Sequence, residues 1–281
     1  MKDELGDRMK KFYEDRTRYL LPRRTYTIIR IDGKAFHTYT SGLKQPFDQG
    51  LVEDMDATAC YLCKNIQGSK FAFVQSDEIS ILMTDFDAIG TDAWFDGNIQ
   101  KIVSVAAGLA TAEFNKLRLK RNIELMLKYS INQVSDSNQK VFDRAKDFID
   151  TFKSATFDAR VFTIPADYEV ENYFIWRQKD CTKNSISSVA RNLYGQKELE
   201  GKNSDQKQEM IFQKGINWND YAPKLKRGRF IQKEMTEMKT DVFKTYVKEP
   251  TSYFRSVWKS VDCPIFTQDR EFLQNQILKM I

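Results

Sequence analysis

Apolar and polar positions change period several times along this chain, and each change marks an element. Residues 2 to 20 carry charged and apolar residues at helical spacing until Pro22, which has no N–H to continue a helix. "TYTIIRID" (25–32) is rich in β-branched residues and predicts a strand. Leu51, Met55, Ala59, Leu62 and Ile66 then recur every three or four positions, which predicts a helix over 50–66 with Asp48 placed to cap it. "KFAFV" (70–74) and "ISILM" (79–83) are short apolar runs on either side of "QSDE", predicting two strands and a turn. Helical spacing returns from Asn98 to about Lys128, through Ile102, Val105, Ala106, Leu109 and Ala112. A further helix is expected over about 137–153, after the break "SINQVSDSNQ", and "FDARVFTIP" (157–165) reads as a strand stopped by Pro165.

Strand, helix, strand, strand, helix, strand is the β-α-β-β-α-β split unit, whose right-handed crossovers set the first and third strands side by side. The fold class is therefore α+β: a ferredoxin-like β-α-β-β-α-β domain with added helices and a C-terminal helical and basic extension. Residues 1–180 are expected to form the catalytic domain, with an insertion at about 130–153. Residues 181–281 are expected to form an extension packed on it for RNA binding or oligomerisation.

This topology bears on chemistry. Asp32 closes the first strand, and Ser76, Asp77 and Glu78 form the turn that opens the third. A buried carboxylate costs several kcal/mol unless something pairs with it, so converging carboxylates imply a cation. Oxygen ligands point to Mg²⁺. Gly33, lacking a Cβ, lets its carbonyl approach a metal or lets a triphosphate come close. Such a site suits two-metal phosphoryl or nucleotidyl transfer. Glu78 either joins the ligands or faces the other side of the sheet, since successive strand residues alternate. His37 is the one histidine in the chain and, taken alone, reads as structural.

Composition narrows the class without deciding it. The chain is 41% apolar and 30% charged, with no run near the roughly 18 apolar residues of a membrane span, and its charged N-terminus has no secretory core. Four cysteines suit a reducing, cytoplasmic location; Cys60 and Cys63 form a C-x-x-C, but both fall on the apolar face of the 50–66 helix and read as buried. The net charge of +5 permits a nucleic-acid partner. Arg16, Arg18, Arg23 and Arg24, and "KLKRGR" at 224–229, concentrate that charge, though each cluster alone reads as a solvated face. "TYVKEPTSYFRSVWKSVDCPIF" interleaves aromatics with Lys and Arg, a pattern of core packing or of base stacking.

"RRTYTIIRIDGKAFHTYT", "QSDEISIL", "NIQKIVSVAAGLATAEFN", "FDARVF" and "NYFIWRQKDC" occur in this order from about Asp7 to about Ile231. In combination they resemble the tRNA-histidine guanylyltransferase superfamily. The resemblance implies a polymerase-palm nucleotidyltransferase that adds nucleotides to the 5′ end of tRNA in the 3′–5′ direction, with two Mg²⁺ ions, ATP, GTP and other NTPs, working as a homotetramer. It further implies that Asp32, Asp77 and the Gly33 carbonyl hold metal, and that Glu78 is an acidic residue needed for activity. By the same resemblance, nucleotide is bound by Asp32, Gly33, Lys34, Ala35, Phe36 and His37, with Lys44, Ser76, Asp77, Lys101 and Ser104. Lys44 departs from the family spacing, with Gln45 intervening before Pro46. RNA is expected on Arg23, Arg24, Lys183, Asn184, Lys226, Arg227 and Arg229.

Where the tRNA-His enzymes carry H-I-N-N, this chain has Thr182, Lys183, Asn184 and Ser185. That stretch is similar to the guanylyltransferase-like branch of bacteria, archaea and phage, which implies template-dependent repair of 5′-truncated tRNA rather than addition of one G. Two other readings use the same carboxylates: a palm-type nucleotide cyclase, which has no need of W-R-Q-x-D-C or a basic C-terminal half, and a non-catalytic RNA-binding module, which has no need of the carboxylates.

Overall fold

One antiparallel sheet in the order β4-β1-β3-β2-β5-β6 organises the computed structural model, which describes residues 3–132, 143, 146–147, 149–239, 252–277 and 279. The strands are β1 (Tyr26–Gly33), β2 (Ser69–Gln75), β3 (Glu78–Met83), β4 (Phe157–Ile164), β5 (Arg229–Lys239) and β6 (Ser252–Asp262). The helices are α1 (Glu4–Met9), α2 (Phe36–Tyr39), α3 (Gln49–Asn65), α4 (Ile99–Asn132), α5 (Asp167–Leu193), α6 (Gln196–Leu199), α7 (Ser204–Gln213), α8 (Pro223–Lys226) and α9 (Arg270–Gln276). As the pattern predicts, β1 and β3 are neighbours in the sheet, and β1 to β4 appear at the expected places.

Both faces of the sheet are covered at its centre, which is why β2 and β3 are apolar nearly throughout rather than alternating. On one face Ile29, Ile31, Val74, Ile79 and Ile81 pack with Met55, Ala59 and Leu62 of α3 and with Ile102, Ala106 and Phe114 of α4. On the other, Ile28, Phe71, Phe73, Leu82 and Phe230 meet Val170 and Phe174 of α5, with Phe266 and Leu273 from beyond the last strand. α3 starts where the spacing predicts, its Leu51 N–H donating to Asp48 Oδ1 at 2.7 Å. One polar residue breaks its apolar face: Asp54, buried, accepts from Arg118 Nη1 at 3.0 Å and Arg121 Nη2 at 2.9 Å, which ties α3 to α4.

Three expectations need amendment. The helix over 2–20 is shorter: α1 ends at Met9, and irregular helical turns carry the chain to Thr17. The C-terminal extension is helical only in part. Helices α6 to α8 gather around Ile186, Val189, Leu199, Ile211 and Trp218, but β5 then joins the sheet beside β2, and β6 beside β5. Charged residues inside "RFIQKEMTEMK" hide that strand from a hydrophobicity pattern. A single helix, α5, runs across position 180/181. The helix expected over about 137–153, most of the 130–153 insertion and the segment "TYVKEP" lie largely outside the described residues. Among the described residues no helix is long and apolar enough to cross a membrane.

Candidate active site

Register brings the sequence-distant acids together. β1 pairs with β3 so that Asp32 stands opposite Glu78, and the β2–β3 turn places Ser76 and Asp77 at that same end of the sheet. The turn is tight enough to hold Ser76 at φ 46°, in the left-handed region. A cleft of about 400 Å³ opens there, lined by Asp32, Ser76, Asp77 and Glu78 from the sheet, by Lys44 and Asp48 from the segment before α3, and by Arg177, Asp180 and Asn184 from α5.

The two carboxylates at the sheet end differ from the third. Burial pushes the Asp77 carboxyl up to about 6, aided by the charges of Asp32 and Glu78 and opposed by hydrogen bonds from Ser76 and its own backbone. Glu78 is turned to α5 instead. Arg177 grips it with two donors, Nε to Oε1 at 2.8 Å and Nη2 to Oε2 at 2.6 Å, and Gln75 Nε2 and Ser80 Oγ donate to Oε1 at 3.2 and 3.3 Å. Burial raises the Glu78 carboxyl and Arg177 opposes that shift. Glu78 stands opposite Asp32 on the same face of the sheet and braces α5 against it. Among the described residues no three His, Cys, Asp or Glu side chains group as a metal site, so any ion would rest on Asp32 and Asp77 with non-carboxylate oxygens.

The segment after β1 is set by packing around Phe36. A Cβ on Gly33 would lie 2.2 Å from the Phe36 ring, so the glycine is required by packing. Phe36 is a core residue, its ring 5.7 Å from Phe114 and 5.4 Å from Phe157. Ala35 sits at φ 52°, and the Lys34 N–H donates to Thr156 O at 2.8 Å; Lys34, Ala35 and His37 are exposed. Gly33→Ala is expected to push Phe36 off its seat at a cost of about 1–3 kcal/mol, the range for overpacked cores. A lowered Tm with weakened nucleotide binding checks this, and an unchanged Tm would refute it. Lys101 and Ser104 lie on the exposed side of the first turns of α4, with Lys101 Nζ 4.9 Å from the Phe95 ring centre. Neither they nor residues 33–37 line the cleft.

With this geometry the comparisons are specific. The family model described as tRNAHis guanylyltransferase matches residues 6–165. The chain belongs to that family. It is a nucleotidyltransferase. The solved structure of a bacterial tRNA(His) guanylyltransferase-like protein in complex with ATP is 38% identical, with a TM-score of 0.74, covering 97% of this chain and 99% of that one. The GTP complex gives 39% identity and a TM-score of 0.71, covering 98% and 100%. The tRNA(His) guanylyltransferase of Debaryomyces hansenii is 27% identical over 233 residues, 78% of this chain and 77% of that one.

Within this family member, most basic residues singled out for RNA have internal partners. Arg23 Nε reaches Asp85 at 2.7 Å, and its other nitrogens reach Asp92 at 3.6 Å and Asp96 at 3.5 Å. Arg24 donates from its backbone to Asp85 and from Nη2 to Ile89 O. Lys226 is buried, donating to Asn219 O above Trp218, and burial lowers its pKa. Arg229 is buried against Asp56, Nε to Oδ1 at 2.6 Å. All four thus have partners within the protein, and for Arg23 and Arg229 these are acids too distant in sequence for a local charge count to detect. Lys183 is exposed, Asn184 lines the cleft and donates to Asp180 Oδ2 at 3.2 Å, and Arg227 is half-buried.

The pattern reading missed Arg177 and Asp180 as cleft residues, although Arg177 Nη2 and Asp180 Oδ2 are 3.1 Å apart and their i, i+3 spacing is visible in the sequence. The four cysteines are free, Cys63 buried and Cys60 half-buried; burial raises Cys60 to about 11 and Cys63 well above its ordinary value, so neither offers a thiolate at neutral pH.

Proposed function

We propose that the enzyme extends the 5′ end of tRNA in the 3′–5′ direction on a polymerase-palm fold, and that it does so by template-dependent repair of truncated ends. The observation that carries the chemistry is the pair Asp32 and Asp77, brought to one cleft by strand register, while the third acid is held by Arg177. Two half-buried hard-oxygen donors at one end of a cleft fit a divalent ion. When bound, Mg²⁺ supplies an acidified 3′-hydroxyl and charge neutralisation at the leaving phosphates.

The chain's own groups do the rest. Lys44 stands on the cleft wall where a triphosphate or the RNA 5′ phosphate would enter, and its cation stabilises charge on the leaving group. Asp48 fixes that wall by accepting from the Lys44 N–H while capping α3. The Glu78–Arg177 pair sets α5, and with it Asp180 and Asn184, against the opposite wall. His37 and Lys101 with Ser104 remain nucleotide contacts by resemblance, reached from outside the cleft. The 5′ monophosphate of the RNA is first activated by attack on the α-phosphorus of ATP, forming a 5′-adenylylated end and releasing pyrophosphate, or a 5′ triphosphate enters directly. The incoming 3′-hydroxyl then loses its proton and attacks the RNA 5′ phosphorus, and AMP or pyrophosphate respectively leaves.

Repair is supported by Thr182–Ser185 standing in place of H-I-N-N and by the likeness to bacterial guanylyltransferase-like proteins over nearly the whole chain. A second reading, addition of a single G, is favoured by the curated relatives named tRNA(His) guanylyltransferase. The deciding assay supplies Mg²⁺, ATP, all NTPs and a tRNA lacking its first nucleotide, with the opposing base varied. Growth by the complementary nucleotide is expected. One G regardless of the opposing base would favour the second reading, and a cyclic nucleotide with no RNA growth would overturn both.

A further inference from the structure

The W-R-Q-x-D motif contains one residue with no inward role. Arg177 pairs with Glu78 and Asp180. Gln178 donates to Pro264 O and accepts from the Phe266 N–H, each at 2.8 Å, fixing the segment after β6. Trp176 is instead 52% exposed. It is nevertheless oriented: the Arg177 guanidinium lies 4.4 Å from its ring centre, and Tyr173 meets it edge-on at 5.8 Å. Single exposed apolar residues are ordinary and need no explanation by themselves.

A pair of cations further along the helix is the second observation. Lys179 and Lys183, three and seven positions beyond Trp176, are exposed on the same side of α5 and form no ion pair among the described residues. With Arg227 they line an open groove of about 410 Å³, in which Asp205 is the one carboxylate. This contrasts with Arg23, Lys226 and Arg229, each of which already holds a partner inside the protein. A held aromatic plane next to unpaired cations matches the chemistry of a nucleic-acid strand, whose bases stack on rings and whose phosphates seek positive charge.

We infer that the outer side of α5 holds the RNA strand beside its 5′ terminus, with a nucleobase stacked on Trp176 and backbone phosphates on Lys179, Lys183 and Arg227. The inference rests on the proposed RNA-extending function. It places the stack one residue from Arg177, which lines the cleft from the same helix. Base stacking on the exposed face complements the guanidinium beside the ring, and it is indifferent to sequence because every base has a π-face.

The two contributions have different signatures. Trp176→Ala is expected to weaken binding of the 5′-truncated tRNA by about 5- to 100-fold while leaving its salt dependence unchanged, since stacking releases no counterions. The double variant Lys179→Glu, Lys183→Glu is expected to weaken RNA binding and to lower the slope of log K against log salt by about 1.5. ATP and GTP affinity and Tm should be unaffected in both, and Trp176→Phe should restore most of the lost RNA affinity. Unchanged RNA affinity in Trp176→Ala would overturn the inference. So would an equal loss of ATP affinity, which would mean that Trp176 acts only through Arg177. Failure of the wild-type protein to bind RNA would instead remove the proposed function and this surface together.

Discussion

Asp77→Asn is expected to abolish nucleotidyl transfer and yet make the protein harder to unfold. The loss of activity should be on the order of 10³-fold or more, the scale of removing a preorganised electrostatic partner from a transition state, and Asp32→Asn should match it. The gain in stability comes from the sign of the Asp77 shift. Its carboxyl titrates at about 6 in the folded chain, and near 3.9 in an unfolded one. Between those values the folded state binds more protons, so stability falls as pH rises through the window and stays low above it. Asparagine carries no charge to desolvate. Melting curves at pH 5 and pH 7 without divalent metal should show the advantage of Asp77→Asn growing with pH. Added Mg²⁺ should raise the Tm of the wild-type chain and not that of the variant. Activity within tenfold of wild type would remove Asp77 from the chemistry.

Arg177→Met is the second large effect, and it acts on the fold. The guanidinium and the Glu78 carboxylate are both buried, so removing one partner leaves the other charged and unpaired, at a cost of about 3–5 kcal/mol. In a domain of this size that corresponds to a drop in Tm of roughly 10 °C. Glu78→Gln should cost less, because the amide can still accept from Arg177. The double variant Glu78→Met, Arg177→Met should be less damaged than the sum of its parts, since no charge is left stranded. Additive losses would mean that the pair is not coupled. Transfer should fall in Arg177→Met as well, because the α5 wall of the cleft is no longer held.

The core of this fold was legible because its strands are covered on both faces. Ile28 and Ile29 pack on opposite sides of the sheet, and such strands appear as unbroken apolar runs bounded by turns. Asp32 and Asp77 were legible for a related reason: each stands at the end of one of those runs. The strands β5 and β6 were not, because Lys233, Glu234, Glu237, Arg255 and Lys259 interrupt their pattern. Pairings across long separations were also hidden. Glu78 and Arg177 are 99 positions apart, and only the packing of α5 on the sheet shows that one answers the other. The partner of Arg23 was hidden for the same reason, since it meets Asp85 only when the loop after β3 folds back.

The second apolar face of the sheet has a bearing on synthesis. Phe71, Phe73 and Leu82 come early in the chain, but their cover comes from Val170, Phe174, Phe230, Phe266 and Leu273. A nascent chain with only its first four strands therefore carries an open hydrophobic surface, the kind of exposure that recruits chaperones and promotes aggregation. The docking of α5 that closes this face also brings Arg177 to Glu78 and completes the cleft. A chain ended before α5 thus leaves this face open and lacks the Arg177 wall of the cleft.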